Sequence, residues 1–165
     1  MGKKDAVTID VMKKEDVDQV LAIEQMSFSS HWSRNLFLSE FRNPAISNLL
    51  VSLNGGPVRS VTGFIIFWII EDEMHILNLA VTPALRRQGV ARNLVLHSIR
   101  QAHRKGVRRA FLEVRVSNTT AQNLYSHLGF AATFVRRDYY DGPIEDAIVM
   151  TLDGQAFLNA AAAAS

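Results

Sequence analysis

The chain has 165 residues, 48% of them hydrophobic and 21% charged, with a formal net charge of +2, which describes one ordinary globular domain and excludes a disordered chain or a general nucleic-acid coat. It contains no cysteine, so a disulfide scaffold, a thiolate metal site and a cysteine nucleophile are all excluded. Its five histidines (His31, His75, His97, His103 and His127) lack HExxH or comparable ligand spacing, and no metal is expected.

In chain order, Met1-Gly2-Lys3-Lys4-Asp5 is followed by polar residues without the apolar stretch of a signal peptide, so the expected compartment is the cytoplasm. Residues 6–12 alternate as a first strand, and residues 16–26 carry Val17, Val20 and Leu21 at helical spacing. Ser33, ahead of Leu36, Phe37 and Phe41, predicts a serine-capped second helix ending near Asn43-Pro44. Residues 47–53 read as strand, and Asn54-Gly55-Gly56-Pro57 is turn chemistry that pairs them antiparallel with residues 58–71. The apolar run 64–70 falls far short of the ~20 residues a spanning helix needs, and no membrane span is expected. After a reversal at Glu71-Asp72-Glu73 come a strand over 74–81, a helix over 91–105 stopped by Gly106, and a strand over 109–116, together a β-α-β crossover. Residues 121–128 predict a short helix ended by Gly129, and residues 130–139 and 146–152 two closing strands. The predicted fold class is α/β (α+β), a mostly antiparallel sheet with helices on its faces. A single domain spans 1–165, with 1–5 and 154–165 as peripheral tails, the second of helix-forming composition.

The crossover directs attention to one junction, because ligands collect at strand C-termini and anions favour the free amides of the following helix N-terminus. The junction reads Arg86-Arg87-Gln88-Gly89-Val90-Ala91 and enters a helix striped by Leu94, Val95, Ile99 and Ala102. Gly89 permits a backbone conformation or a close approach that a side chain would forbid. Arg87 and Arg92 add positive charge suited to a pyrophosphate. The alternative is a solvated basic loop. The hexamer is neither a Walker loop nor a GxGxxG fingerprint.

Leu79-Ala80-Val81, Pro83 and Arg86-x-x-Gly89-x-Ala91 resemble the acetyl-CoA-binding motif of the GNAT acetyltransferases. The resemblance implies a twisted sheet splayed at the acetyl-CoA site, helices on both faces, and Leu79, Ala80, Val81, Arg86, Arg87, Gln88, Gly89, Val90, Ala91 and Arg92 as the acetyl-CoA-binding set. Further on, Leu112-Glu113-Val114-Arg115-Val116-Ser117-Asn118, Leu124-Tyr125, Leu128-Gly129-Phe130, Arg136-Arg137-x-Tyr139-Tyr140 and Glu145-Asp146-Ala147-x-x-Met150 are similar to the ribosomal-protein alanine N-acetyltransferases, the RimI branch of that superfamily. The likeness runs over residues 7–152. His31-Trp32-Ser33 departs from that branch's Pro-Trp-Ser, and Ala91 stands where Gly is commoner.

An amine attacks a thioester only when neutral, so the chemistry needs a base near the amine and an acid for the leaving thiolate. Glu113, among Phe111, Leu112, Val114 and Val116, is the candidate base, partly desolvated with a tendency toward raised basicity; the alternative is a surface Glu paired with Arg115 or Arg109. Tyr125 reads as a core tyrosine on the stripe Ala121, Leu124, Tyr125, Leu128, and the resemblance makes it the acid and a CoA neighbour. Asn118 reads as an N-cap and, by resemblance, a CoA contact. Trp32, Tyr139 and Tyr140 are implied to flank the acceptor, with packing on the sheet as the tyrosines' alternative. An α-amine is roughly a tenth neutral at pH 7 and a lysine only about once in two thousand, so one carboxylate suits a protein N-terminus. The resemblance therefore implies acetyl-CoA as co-substrate and a protein or peptide N-terminus, including that of a ribosomal protein, as partner. Neither nucleic acid nor membrane is expected to bind, and a monomer or weak dimer is expected. Two other readings stay open: a GNAT enzyme for small amines and a non-catalytic acyl-CoA sensor.

Overall fold

A computed structural model describes residues 7–163; the expected N-terminal tail, residues 1–5, lies outside the described residues. Seven strands form one sheet: β1 (Thr8–Val11), β2 (Ser47–Asn54), β3 (Ser60–Ile70), β4 (Glu73–Val81), β5 (Arg109–Arg115), β6 (Ala131–Asp141) and β7 (Ile144–Leu152), in the order β1-β2-β3-β4-β5-β7-β6. Every pairing is antiparallel except β4 with β5, the pair whose ends are joined through a helix because parallel neighbours need a crossover. The order at the far edge was not readable from the sequence, because β7 inserts between β5 and β6.

Five helices cover the sheet: α1 (Val17–Ser27), α2 (Arg34–Glu40), α3 (Val90–Arg104), α4 (Thr119–His127) and α5 (Gly154–Ala163). Ser33 caps α2 as predicted, its hydroxyl accepting from the Leu36 amide at 3.2 Å. Strand alternation separates two cores. Phe64 and Ile66 of β3 face Val17, Val20, Ile23 and Phe37 of α1 and α2, while Ile65 and Phe67 face Leu94, Val95 and Ile99 of α3. None of the five helices is long and apolar enough to cross a membrane among the described residues.

The expectation of a peripheral C-terminal tail is corrected for residues 154–163. They form α5, which buries Phe157, Ala160 and Ala161 in the core under α3. Phe157 is fully buried and meets His103 edge-on at 5.9 Å. The alanine run suits this position because small side chains let α5 approach α3 closely.

Candidate active site

The cleft begins where the two parallel strands part. β4 and β5 are paired only over Glu73–Arg109 to Ile76–Leu112. Immediately beyond, Leu77 is an extra residue in β4, since Ile66 opposes Asn78 while Phe67 opposes Ile76. A bulge of this kind bends its strand, and β4 leaves β5. The gap is a cavity of ≈ 250 Å³ lined by Ile76 to Leu79 of β4, Leu112 to Arg115 of β5, Glu24 and Trp32 from the α1 side, Asn118 at the start of α4, Tyr125 within it, and Tyr140 of β6.

At one end of the cleft lies the loop into α3. Arg87 has φ 59° and Gly89 φ 83°. A Cβ at Gly89 would meet nothing within 4 Å, so glycine is required there by the left-handed backbone and not by crowding. The first α3 amide with an intrahelical carbonyl is Asn93, bonded to Gly89 at 2.9 Å, which leaves the amides of Val90, Ala91 and Arg92 at the helix mouth. No side chain caps this end, no acidic residue lies in its first turn, and Arg87 and Arg92 are exposed beside it. This donor set fits a pyrophosphate. Arg86 is otherwise engaged: its Nε donates to the Val81 carbonyl at 3.0 Å and its guanidinium to Ser27 Oγ at 3.0 Å, so it ties the loop to β4 and α1. Ala80, Val81 and Val90 put their side chains into the two cores and have only backbone to offer a ligand, whereas Leu79 lines the cavity. Gln88 donates to the Ala84 carbonyl at 3.1 Å.

Glu113 and Tyr125 line the same cavity. The Glu113 side chain is 8% exposed. It does not pair with Arg115 or Arg109, which are held by Glu145 and Glu73. Its partners are His75, with Nε2 at 2.6 Å, and Arg136, with Nε at 3.6 Å. His75 is itself stacked on Phe111 at 4.3 Å. Glu113 is therefore an oriented carboxylate with neighbours on both oxygens, not a lone desolvated one. Tyr125 is 6% exposed, and burial, reinforced by Tyr140, pushes its phenol well above the ordinary tyrosine range, so it keeps its proton at neutral pH. Asn118 caps α4, its Oδ1 accepting from the Ala121 amide at 3.1 Å, and also faces the cavity.

Trp32 lines the cavity and packs on Phe37 at 5.3 Å. Tyr140 joins the lining under the Arg115 guanidinium, 4.1 Å above its ring; burial raises its phenol to about 12. Tyr139 is 44% exposed and meets Tyr140 edge-on at 5.0 Å, on the rim and not in the lining. Tyr139 lies within an irregularity of β6 between Arg136 and Tyr140, and regular pairing resumes at Tyr140 opposite Glu145.

Glu24, which lines the cavity, and His75 and Arg136, which meet Glu113 beside it, are functional candidates that the sequence did not single out. Glu24 had a signal, since it continues the buried stripe Val17, Val20 of α1 as a charged residue. His75 and Arg136 meet Glu113 only through strand pairing between distant segments.

Comparison with known proteins agrees with this geometry. Residues 17–130 match the model of the acetyltransferase (GNAT) family. The chain is 36% identical over 148 residues to the [ribosomal protein bS18]-alanine N-acetyltransferase of Escherichia coli (strain K12), covering 88% of this chain and 96% of the relative. The crystal structure of the ribosomal-protein-S18-alanine N-acetyltransferase from Escherichia coli superposes with a TM-score of 0.80 at 34% identity, covering 90% of this chain and 94% of the other. That of Ard1 from Thermoplasma volcanium superposes with a TM-score of 0.81 at 29% identity, covering 90% and 97%. With the parted β4 and β5, the uncapped α3 mouth and near full-length likeness in agreement, this chain belongs to the GNAT family of acetyltransferases.

Proposed function

We propose that the protein transfers the acetyl group of acetyl-CoA to the α-amine of a protein N-terminus, and that an N-terminal alanine of ribosomal protein bS18 is its acceptor. The observation that carries this reading is the single cavity between the parted strands, which Glu113, Tyr125, Trp32 and Tyr140 share. Near full-length relatives named for bS18 alanine acetylation support the acceptor. The reading puts the enzyme in the cytoplasm with its acceptor.

The α3 mouth, with Gly89 to Arg92 and the exposed Arg87, holds the CoA pyrophosphate, and Leu79 with the β4 backbone lines the way to the reacting centre. Acetyl-CoA supplies the activated thioester carbonyl. Glu113 takes the proton from the α-ammonium, directly or through one water, with His75 and Arg136 fixing the direction of its oxygens. The neutral amine attacks the acyl carbon, a C–N bond forms, the C–S bond breaks as the Tyr125 phenol gives its proton to the departing sulfur, and the second proton of the attacking nitrogen leaves through water to restore the phenol. One carboxylate meets the modest demand of an amine with pKa near 8.

The test is thiol release from acetyl-CoA with a peptide carrying the N-terminal residues of bS18, beside the same peptide blocked at its N-terminus and containing lysine. Turnover with the free N-terminus alone supports the reading. Turnover with the lysine peptide, or only with small amines, overturns it.

A further inference from the structure

Glu24 lies on the buried stripe of α1 and is 1% exposed, and no basic side chain among the described residues is within ion-pair distance of it. Burial pushes its carboxyl above the usual carboxylate range, against two hydrogen bonds and the nearby His31 imidazole, which work the other way. One oxygen accepts the Trp32 backbone amide at 2.9 Å and the other accepts Asn78 Nδ2 at 3.0 Å. These two bonds join three segments that the chain keeps far apart: α1, the loop of residues 28–33, and the half of β4 that follows the Leu77 bulge. That half of β4 has no partner on its β5 side. The loop joins no strand pairing; Ser29 Oγ donates to the Gly142 carbonyl in the turn between β6 and β7 at 3.1 Å, and the loop residues Phe28, Ser30, His31 and Trp32 form one wall of the cavity. The Arg86 bond to Ser27 fastens the end of α1 to the loop before α3.

Burying a carboxylate among apolar neighbours is costly unless its hydrogen bonds are made, and an apolar side chain at position 24 would pack the same stripe without that cost. What an apolar side chain cannot do is fix the Trp32 wall against the splayed strand. We propose that Glu24 is a positioning residue for the acceptor: by clamping the Trp32 loop to Asn78 it sets the width of the acceptor half of the cleft. The proposal rests on the functional reading above. It differs from a direct electrostatic role, in which the Glu24 charge itself would hold the acceptor's ammonium group, and the two separate experimentally. Glu24→Gln keeps the shape and, once the Asn78 amide turns over, both hydrogen bonds, while it removes the charge. Glu24→Ala removes both bonds.

The experiment has two readouts. The first is the KM for the acceptor peptide against the KM for acetyl-CoA. Glu24→Ala is expected to raise the acceptor KM about tenfold or more while the acetyl-CoA KM stays within about twofold, and Glu24→Gln to recover most of that loss. The second is independent of activity. The chain has two tryptophans, Trp32 and Trp68, so in a Trp68→Phe background acrylamide quenching reports on Trp32 alone. Quenching is expected to rise with Glu24→Ala and to stay near that of the background protein with Glu24→Gln. Asn78→Ala, which removes one arm, is expected to move both readouts in the same direction by less, and it carries the test if Glu24→Ala does not fold. Equal loss of acceptor affinity in Glu24→Gln and Glu24→Ala overturns the clamp in favour of the charge. An unchanged acceptor KM, or equal effects on both KM values, overturns it altogether. Failure of the parent protein to use an N-terminal acceptor refutes the functional reading instead, and the quenching comparison still decides the clamp.

Discussion

Replacing Tyr125 by Phe separates chemistry from packing. The ring is 6% exposed and packs edge-on against Phe130 at 5.5 Å; phenylalanine keeps those contacts and removes only the hydroxyl at the cavity wall. The stability cost is at most ~1.5 kcal/mol, the range of one hydrogen bond, so the variant stays folded at assay temperature. If the phenol is the acid for the departing thiol, its loss lowers kcat by about 10²- to 10⁴-fold, equivalent to roughly 2.7 to 5.5 kcal/mol of barrier at 1.36 kcal/mol per decade. Thiol release read with a chromogenic disulfide suits the purpose, since a chain with no cysteine contributes no thiol of its own. The pH profile gives a second check. Because burial holds the phenol well above the ordinary tyrosine range, the acid stays protonated through pH 10, and the parent enzyme shows no alkaline fall in kcat centred near 10, the pKa of a free tyrosine. A Tyr125→Phe variant within about threefold of the parent kcat, with an unchanged melting temperature, would refute the assignment, since general acid catalysis is worth far more than that.

The remaining predictions concern the cofactor loop, the C-terminal helix and a buried ion pair. Gly89→Ala meets no steric obstacle but must hold φ 83°, which costs roughly 1–2 kcal/mol; the KM for acetyl-CoA rises about tenfold as the α3 mouth shifts, measured by initial rates beside a thermal melt. Phe157→Ala empties a fully buried site and destabilises by ~3–5 kcal/mol in urea unfolding, whereas a peripheral tail would give almost no change. Arg59→Met strips the fork that binds both Asp16 oxygens, at 2.7 and 2.8 Å, and leaves a carboxylate that is 1% exposed without its cation, for a loss of ~3–5 kcal/mol at pH 7. Burial alone would raise the Asp16 pKa, but the Arg59 and Lys13 hydrogen bonds outweigh it and hold the carboxyl below the usual range. Its contribution is therefore present above the unfolded value near 3.9 and lost as pH falls through the folded one, so the deficit of Arg59→Met shrinks between pH 5 and pH 2.

The local elements are legible in the sequence, as is the loop proposed to bind the cofactor, because both follow from short-range rules. The Ser33 cap, the Gly106 and Gly129 stops and the alternation of β3 each depend on neighbours within a few residues. Gly89 at the start of a striped helix marks, for the same reason, the uncapped α3 mouth proposed to hold the pyrophosphate. Which side chains meet across segments depends on the packed fold. The His75–Glu113–Arg136 cluster requires β4 beside β5 and β6 two strands away, and that order comes from β7 inserting between β5 and β6, a choice made by sheet packing and not by local propensity. The cavity itself depends on one extra residue, Leu77, whose effect appears only once β3 supplies the register against which it is extra. Glu24 was visible as a charge on an apolar stripe, but its partners, Trp32 and Asn78, lie 8 and 54 residues further along the chain. The alanine-rich end looked peripheral because composition records helix propensity and says nothing about what a helix packs against; α3 supplied the surface that turned it into core.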